Sequence, residues 1–216
     1  MNVLIDLDGT LTDPREGILA CRKHALSAIG HSLPADRELE RFIGPPLQDN
    51  LAALLGSDNA GRVGDAIASY RTRFAATGMY ENTVYPGIRE ALGELRERGA
   101  AFYVATSKPG VFAERIIRHF DLDGCFRAIY GSELDGTRSH KTELIAHILH
   151  AQSLPRETTV MVGDRAQDIA GATANGVLAI GALWGYGSRD ELVAAGAEVL
   201  CAEPALLVET VYAAAA

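Results

Sequence analysis

Two aspartates separated by one residue follow an apolar run at the start of the chain. Residues 3–10 read Val-Leu-Ile-Asp-Leu-Asp-Gly-Thr, so Asp6 and Asp8 stand at the end of a predicted strand. Alternate side chains of a strand share a face, although a turn at residues 8–9 would set their separation instead. Burying two carboxylates costs desolvation and mutual repulsion unless a cation or a proton intervenes. The pair therefore predicts a cation-binding reactive site. The alternative is a strand that ends in a polar turn.

Further polar side chains follow two other apolar runs. Thr106, Ser107 and Lys108 come after one run, and Asp164 comes after another, with Asp168 four residues later. In an open parallel sheet, ligands bind outside the C-terminal ends of the strands. We therefore expect these side chains to meet the aspartate pair at one edge. Taken singly, each has an ordinary alternative, because hydroxyls and acids at such positions also cap helices or lie on helix faces.

The positions of the lysines support a site at the same edge of the predicted sheet. The chain has three lysines, Lys23, Lys108 and Lys141, and all its other basic residues besides histidine are arginines. Lys141 opens the predicted helix that precedes the Asp164 strand. Lysine supplies a compact point charge, so two lysines at strand-end positions indicate a charge-neutralising role. The alternative is that both are surface lysines placed there by chance.

Strands and helices alternate in the second half of the chain, which predicts βαβ units and a parallel sheet. With Asn2–Leu7, the predicted strands are Ala101–Thr106, Ala128–Tyr130, Thr159–Val162 and Val177–Ile180. The helices between and after them are Gly87–Arg98, Gly110–Phe120, Lys141–His150, Asp168–Ala174 and Asp190–Ala195, with a last helix near Pro204–Tyr212.

The segment between the first two strands departs from this alternation. It contains only helical patterns, at Ile18–Ile29, Glu38–Phe42, Leu47–Leu55 and Ala60–Thr77. We predict an all-helical domain at residues 15–81, inserted into an α/β core made of residues 1–14 and 82–216. The proposed hinges are Thr12–Arg15 and Glu81–Gly87, and each contains a proline. The alternative is a helical arm that packs on one sheet face.

Composition narrows the classes of function. The 216 residues are 48% hydrophobic and 22% charged, as in a globular protein of one or two domains. A net charge of −8 without a basic block argues against nucleic acid and anionic membranes as partners. No apolar stretch approaches the length of a membrane span, and the first strand leaves no room for a secretory signal. Three widely separated cysteines, Cys21, Cys125 and Cys201, indicate a reduced, cytoplasmic protein.

Four motifs, in order, resemble those of the haloacid dehalogenase (HAD) superfamily, and they span nearly the whole chain. They are residues 6–10 (Asp-Leu-Asp-Gly-Thr), Thr106, Lys141, and residues 163–168 (Gly-Asp-Arg-Ala-Gln-Asp). The helical insert resembles the cap domain that this superfamily places between its first two motifs. Residues 134–138 and 183–188 resemble the phosphoglycolate phosphatase-like branch, some bacterial members of which are 5′-nucleotidases. The resemblance implies a Rossmann-like, doubly wound parallel sheet with an all-helical cap inserted after the first strand.

The resemblance also implies a mechanism for which the residue types are suited. Asp6 would attack phosphorus to give an aspartyl-phosphate. Mg²⁺ would be held by Asp6, Asp164 and the backbone carbonyl of Asp8, because a carboxylate and a phosphate dianion otherwise repel each other. Lys141 would neutralise the charge on Asp6 and on the phosphoryl oxygens. Asp8 would protonate the leaving alcohol and then activate water.

The remaining site residues complete the expectation. Thr106, Ser107 and the Gly9 backbone would bind phosphoryl oxygens, while Thr10 and Asp168 would support the site. Dehalogenases and phosphonatases lack an aspartate at the Asp8 position, which argues for phosphate esters. We therefore expect a Mg²⁺-dependent phosphatase acting on a small phosphomonoester, either a phosphoglycolate-like acid or a nucleoside 5′-monophosphate. A β-phosphoglucomutase-type transferase and a non-catalytic binder remain alternatives. The oligomeric state, monomer or dimer, stays open.

Overall fold

The computed structural model describes residues 1–214, which contain a six-stranded sheet, a two-stranded sheet and ten α-helices. The strands are β1 (Asn2–Ile5), β2 (Thr12–Asp13), β3 (Thr83–Val84), β4 (Ala101–Pro109), β5 (Ala128–Ser132), β6 (Thr159–Gly163), β7 (Leu178–Ala182) and β8 (Val199–Cys201). The α-helices are α1 (Arg15–Ala28), α2 (Asp36–Glu40), α3 (Leu47–Leu55), α4 (Val63–Arg73), α5 (Ile88–Glu97), α6 (Gly110–His119), α7 (Lys141–Ala151), α8 (Ala166–Ala174), α9 (Arg189–Ala194) and α10 (Leu207–Ala214).

Six of the strands form a parallel sheet in the order β5-β4-β1-β6-β7-β8. The central strand β1 is paired on both sides, with Ile5 opposite Val104 of β4 and Val162 of β6. These strands are continuous apolar runs because helices cover both faces of such a sheet. The predicted Rossmann-like, doubly wound parallel sheet is confirmed.

One face of the sheet packs on α7 and α8. Leu4, Tyr103 and Met161 point to this face from three neighbouring strands and contact a cluster that includes Leu144 of α7 and Ile169 of α8. At roughly 25 cal/mol per Å² of buried apolar area, such a cluster anchors both helices. The first residue of α7 and the first turn of α8 therefore have fixed positions beside the sheet.

The pairing of β4 with β5 is irregular at its C-terminal end. Ala105 lies opposite Tyr130, whereas Pro109 lies opposite Ser132. Between these two pairs β4 therefore advances by four residues while β5 advances by two. Irregularities of this kind redirect side chains at strand ends. Gly131 permits this one, because a Cβ there would lie 2.4 Å from the Lys108 carbonyl oxygen. The segment between Ala105 and Pro109 therefore leaves the regular ladder at the C-terminal edge of the sheet.

The chain divides into two compact units, Met1–Asp13 with Val84–Ala216, and Pro14–Thr83. The second unit contains α1 to α4. Its buried Arg22 donates to the carbonyl oxygens of Leu39 (2.8 Å) and Phe42 (2.5 Å), so one α1 side chain fixes the turn after α2. Asn50 of α3 donates to the Phe42 carbonyl as well, at 2.8 Å. A role for this unit as a cap remains a prediction.

Several elements differ from the sequence-based expectation. The two-residue strands β2 and β3 occupy the predicted hinges, and β8 is a strand that the sequence did not predict. A 3₁₀ segment (Ser57–Arg62), α4 and a π-helical turn (Phe74–Gly78) replace the single predicted helix Ala60–Thr77. α8 begins at Ala166 rather than Asp168, because the Asp168 carboxylate accepts the Arg165 N–H at 3.0 Å and caps the first turn. None of the helices in residues 1–214 is long and apolar enough to cross a membrane.

Candidate active site

Lys141 joins two of the predicted site aspartates. Its Nζ lies 2.8 Å from Asp6 Oδ1 and 2.5 Å from Asp168 Oδ1, and it donates to the Ala105 carbonyl at 2.7 Å. All three charged side chains are almost completely buried. Burial opposes the charge on Lys141, yet the Asp168 and Asp6 carboxylates outweigh it, so the Lys141 pKa is raised. A permanent ammonium therefore stands beside Asp6.

Asp168 also serves α8 itself. Its Oδ2 accepts the Arg165 N–H, while Oδ1 faces Lys141. Burial raises the Asp168 pKa to about 6, although Lys141 works in the opposite direction. Gly163 makes room for this side chain, because a Cβ there would lie 2.3 Å from Asp168 Cγ. Asp168 therefore contacts Lys141 from the first turn of α8, and its supporting role in the site stays a prediction.

Asp164 comes directly after β6, and among the described residues its oxygens accept hydrogen bonds from neutral donors only. Thr10 Oγ1 donates to Oδ1 at 3.1 Å, and the Tyr186 N–H donates to Oδ2 at 2.8 Å. Burial, together with the nearby Asp168 and Asp6 carboxylates, raises the Asp164 pKa well above its usual range. A positive charge at this position would stabilise the ionised form.

The acidic cluster fits a hard divalent cation. Carboxylate oxygens of Asp6, Asp164 and Asp168 lie within 4.8 Å of one another. With Asp8, four buried carboxylates of the described chain lie near two ammonium groups, so a divalent cation would supply the further positive charge that four ionised carboxylates require. Oxygen ligands without histidine or thiolate are the donor set that Mg²⁺ prefers. Asp168 is the least available of the three, because Lys141 and the Arg165 N–H engage its two oxygens.

Asp8 is paired with Lys108. The Lys108 Nζ lies 2.5 Å from both carboxylate oxygens of Asp8, and both side chains are less than a tenth exposed. Burial raises the Asp8 pKa, and Lys108 opposes that rise. The scarcity of lysine had already indicated a charge-neutralising role for Lys108 at this edge, although the sequence did not identify Asp8 as its partner.

Two hydroxyls lie in the irregular segment of β4. Thr106 is buried, and its Oγ1 accepts the Lys108 N–H at 3.2 Å. Ser107 is also buried, and its Oγ has no hydrogen-bond partner among the described residues. Ser132 Oγ donates to the Ser107 carbonyl at 2.9 Å and fixes the backbone there. A buried hydroxyl without a partner costs free energy, which an oxyanion ligand would recover.

Gly9 brings the first motif against Asp164. Its φ is +89°, which disfavours residues with a Cβ, and a Cβ there would lie 2.3 Å from Asp164 Oδ2. The turn after Asp8 therefore depends on glycine twice, for its conformation and for space. The structure brings the first motif and Asp164 together, as the sequence predicted for one sheet edge.

A loop at residues 183–188 contacts this cluster of aspartates. The sequence indicated only its resemblance to a family branch and predicted no role for it in the site. The Trp184 Nε1 donates to the Thr10 carbonyl at 2.9 Å, and the Tyr186 hydroxyl donates to Asp13. A Cβ at Gly185 would lie 2.3 Å from Asp164 Cβ, and one at Gly187 would lie 1.9 Å from the Asp164 carbonyl oxygen. The sequence offered one signal for this loop: Gly185 and Gly187, separated by one residue, follow the single tryptophan of the chain.

Known proteins resemble the chain over nearly its whole length. A family model described as haloacid dehalogenase-like hydrolase matches residues 3–182. A 5′-nucleotidase of Pseudomonas aeruginosa is 53% identical over 206 residues, covering 95% of this chain and 93% of that protein. The tyrosine-protein kinase PtkA of Mycobacterium tuberculosis is 40% identical over 189 residues, covering 87% of this chain and 64% of the kinase. The crystal structure of a predicted phosphatase from Clostridium acetobutylicum has a TM-score of 0.94 and 38% identity, covering 98% of each chain. With the four motifs gathered at one sheet edge, these matches confirm the resemblance, and the chain belongs to the haloacid dehalogenase-like hydrolases.

Proposed function

We propose that this protein is a Mg²⁺-dependent phosphatase that hydrolyses a small phosphomonoester through an aspartyl-phosphate on Asp6. The observation that carries the proposal is the buried cluster in which Lys141 contacts both Asp6 and Asp168, while Asp164 accepts hydrogen bonds from neutral donors only among the described residues. Burying several carboxylates together costs free energy, which the binding of a cation and a phosphoryl group would recover. The family and the 5′-nucleotidase relative support the same reaction class.

Asp6 is the nucleophile. Its carboxylate lies at the end of the central strand, held 2.8 Å from the Lys141 Nζ. Lys141 offsets charge on Asp6 as the phosphoryl group approaches, and then offsets charge on the phosphoryl oxygens. Attack forms an Asp6–phosphorus bond and breaks the bond to the leaving alcohol. Water then cleaves the acyl phosphate and regenerates the Asp6 carboxylate.

Asp6, Asp164 and the backbone carbonyl of Asp8 would hold the metal ion. When bound, Mg²⁺ supplies positive charge that offsets the repulsion between the nucleophile and the phosphate dianion. Thr10 positions Asp164 through the 3.1 Å hydrogen bond from its Oγ1. Asp168 positions Lys141 from the opposite side.

Asp8 acts as the general acid and base. In the first half-reaction it donates a proton to the leaving alcohol, and in the second it accepts one from the attacking water. Thr106, Ser107 and the Gly9 backbone N–H bind the phosphoryl oxygens. The Ser107 hydroxyl, buried without a hydrogen-bond partner among the described residues, is the clearest support for an oxyanion there.

The substrate we propose is a small phosphorylated metabolite, either a nucleoside 5′-monophosphate or a phosphoglycolate-like acid. The P. aeruginosa relative favours the nucleotide. The helical unit would act as the cap that selects the leaving group. A net charge of −8 is consistent with the expectation of a cytoplasmic enzyme without nucleic-acid polymers or membranes as partners.

Phosphoryl transfer to an acceptor other than water is the second candidate. The likeness to PtkA favours it, although the chain spans only 64% of that kinase's length. A mutase-type transferase would use the same aspartates and differ in excluding water. A non-catalytic binder is disfavoured, because binding alone gains nothing from four buried carboxylates.

One assay separates these functions. Purified protein with Mg²⁺ is incubated with an aryl phosphate, and then with AMP, GMP, UMP and phosphoglycolate, while released phosphate is measured. A phosphatase releases phosphate in step with the alcohol. A transferase releases alcohol faster than phosphate when glucose phosphates or a tyrosine peptide are added as acceptors. Absence of alcohol release from every substrate would refute both enzymatic proposals and leave the binder.

A further inference from the structure

We propose that Lys108 changes partners during the reaction: it contacts Asp8 in this structure and passes to the phosphoryl group when the substrate binds. This inference rests on the proposed function. It assigns a role to an ammonium group that the mechanism above does not use. It also explains how Asp8 is held in place before the substrate binds.

The contact of Lys108 with Asp8 involves both carboxylate oxygens. The Lys108 Nζ lies 2.5 Å from Oδ1 and 2.5 Å from Oδ2, so both oxygens of the carboxylate face the ammonium. The ammonium engages a lone pair of each oxygen and so competes with an alcohol or a water for the carboxylate. Loss of this contact would free both oxygens for the proton transfers assigned to Asp8.

The backbone of β4 holds Lys108 in position. The Lys108 N–H donates to Thr106 Oγ1 at 3.2 Å, and the absence of a Cβ at Gly131 leaves space for the Lys108 carbonyl. Ser132 fixes the preceding peptide by donating to the Ser107 carbonyl. These contacts place the ammonium at the sheet edge through the backbone. Because a lysine side chain has several rotatable bonds, the proposed change of partner requires no movement of this backbone.

The neighbouring groups indicate where the ammonium goes. Ser107 and Thr106, the two hydroxyls assigned to the phosphoryl oxygens, directly precede Lys108 in the chain. Ser107 Oγ is buried and lacks a hydrogen-bond partner among the described residues, which marks a position for an oxyanion. A phosphate dianion carries twice the charge of Asp8, so it competes for the ammonium. Substrate binding then releases Asp8 at the step that needs it.

A double-mutant cycle on phosphate binding tests the exchange. Inorganic phosphate is titrated into wild-type protein, Lys108→Met, Asp8→Asn and the double variant, all with saturating Mg²⁺, and the Kd is measured by calorimetry. Lys108→Met is expected to weaken binding by about 10- to 100-fold, since it removes a charged partner. Lys23→Met is the matched control, because Lys23 pairs with Asp36 on the exposed side of the helical unit and should leave the Kd unchanged.

The decisive quantity is the coupling between the two substitutions. Asp8→Asn removes repulsion of phosphate in either background, but it frees the ammonium only where Lys108 is present. We expect Asp8→Asn to tighten binding at least about fivefold more with lysine than with methionine at position 108. Equal effects in both backgrounds would overturn the exchange. If Lys108→Met unfolds on losing its charge, the cycle is run with Lys108→Gln, and the same criterion applies.

The failure of this inference is distinguishable from failure of the proposed function. Wild-type protein that binds no phosphate in the presence of Mg²⁺ would refute the phosphatase assignment and this inference with it. Wild-type protein that binds phosphate but shows no coupling would leave the phosphatase intact. In that case Lys108 would be a fixed counter-ion of Asp8.

Discussion

Replacing Gly9 with alanine should damage the Asp164 site more than it damages the fold. The new Cβ would lie 2.3 Å from Asp164 Oδ2 and 2.6 Å from its Cγ, far inside van der Waals contact. Asp164 cannot move aside freely, because it is completely buried and both oxygens accept hydrogen bonds. The carboxylate must therefore turn and lose at least one of them.

Gly99 provides the matched control. Its φ is +86°, close to the +89° of Gly9, but a Cβ there would meet nothing within 4 Å. Alanine at either position costs about 1–2 kcal/mol for the positive φ. Only Gly9→Ala adds the lost hydrogen bond to a charged group, worth about 1.5–3 kcal/mol. The difference between the two variants corresponds to about 3–12 °C in Tm for a chain of this size.

Thermal unfolding and Mg²⁺ titration together provide the assay. Gly99→Ala should lower the Tm modestly and keep the Mg²⁺ affinity of the wild type. Gly9→Ala should lower the Tm further and weaken Mg²⁺ at least about tenfold, since 1.4 kcal/mol is a factor of ten. Equal Tm values for the two variants, with Mg²⁺ affinity retained in both, would refute the close approach of Gly9 to Asp164.

Three further predictions test the chemistry. Asp6→Asn should fold normally but release no alcohol from an aryl phosphate, because an amide does not attack phosphorus; substantial turnover by folded protein would contradict the assignment of the nucleophile. Exhaustive chelation with EDTA should stop hydrolysis and Mg²⁺ should restore it, whereas full activity without divalent metal would exclude the Asp6–Asp164 metal site. Asp8→Asn should slow hydrolysis of the aspartyl-phosphate by about 10²–10⁴-fold while an aryl leaving group still departs. We expect a burst of aryl alcohol close to one equivalent of enzyme, followed by slow turnover. If formation and hydrolysis of the aspartyl-phosphate are slowed equally and no burst is seen, Asp8 has another role.

The sheet could be predicted because its physical causes are local. Alternating apolar strands and amphipathic helices leave few arrangements other than a parallel α/β sheet. α3 was predicted with its observed bounds, Leu47–Leu55, because Pro46 and Gly56 bracket it. β2, β3 and β8 were missed, since strands of two or three residues carry too little pattern to be distinguished from loops.

The pairing of Asp8 with Lys108 could not be predicted from spacing. It depends on the shift in pairing between β4 and β5, which redirects the residues after Ala105. The glycine that permits this shift, Gly131, lies on the neighbouring strand β5. The sequence of β4 by itself therefore does not predict the shift. The same reasoning applies to the contacts of Trp184 and Tyr186, whose partners are more than 170 residues away in the chain. Contacts of this length follow from the folded backbone alone.

The distribution of charge explains why this edge carries four acids without unfolding the core. Lys141 offsets Asp6 and Asp168, and Lys108 offsets Asp8. Among the described residues, the hydrogen bonds to Asp164 come from neutral donors, and burial raises its pKa well above the usual range. Lys108 and Lys141 therefore compensate three of the four acids, and Asp164 is the acid for which we propose a metal ion as the counter-charge. The Thr10 hydroxyl and the Tyr186 N–H solvate its buried carboxylate in this structure.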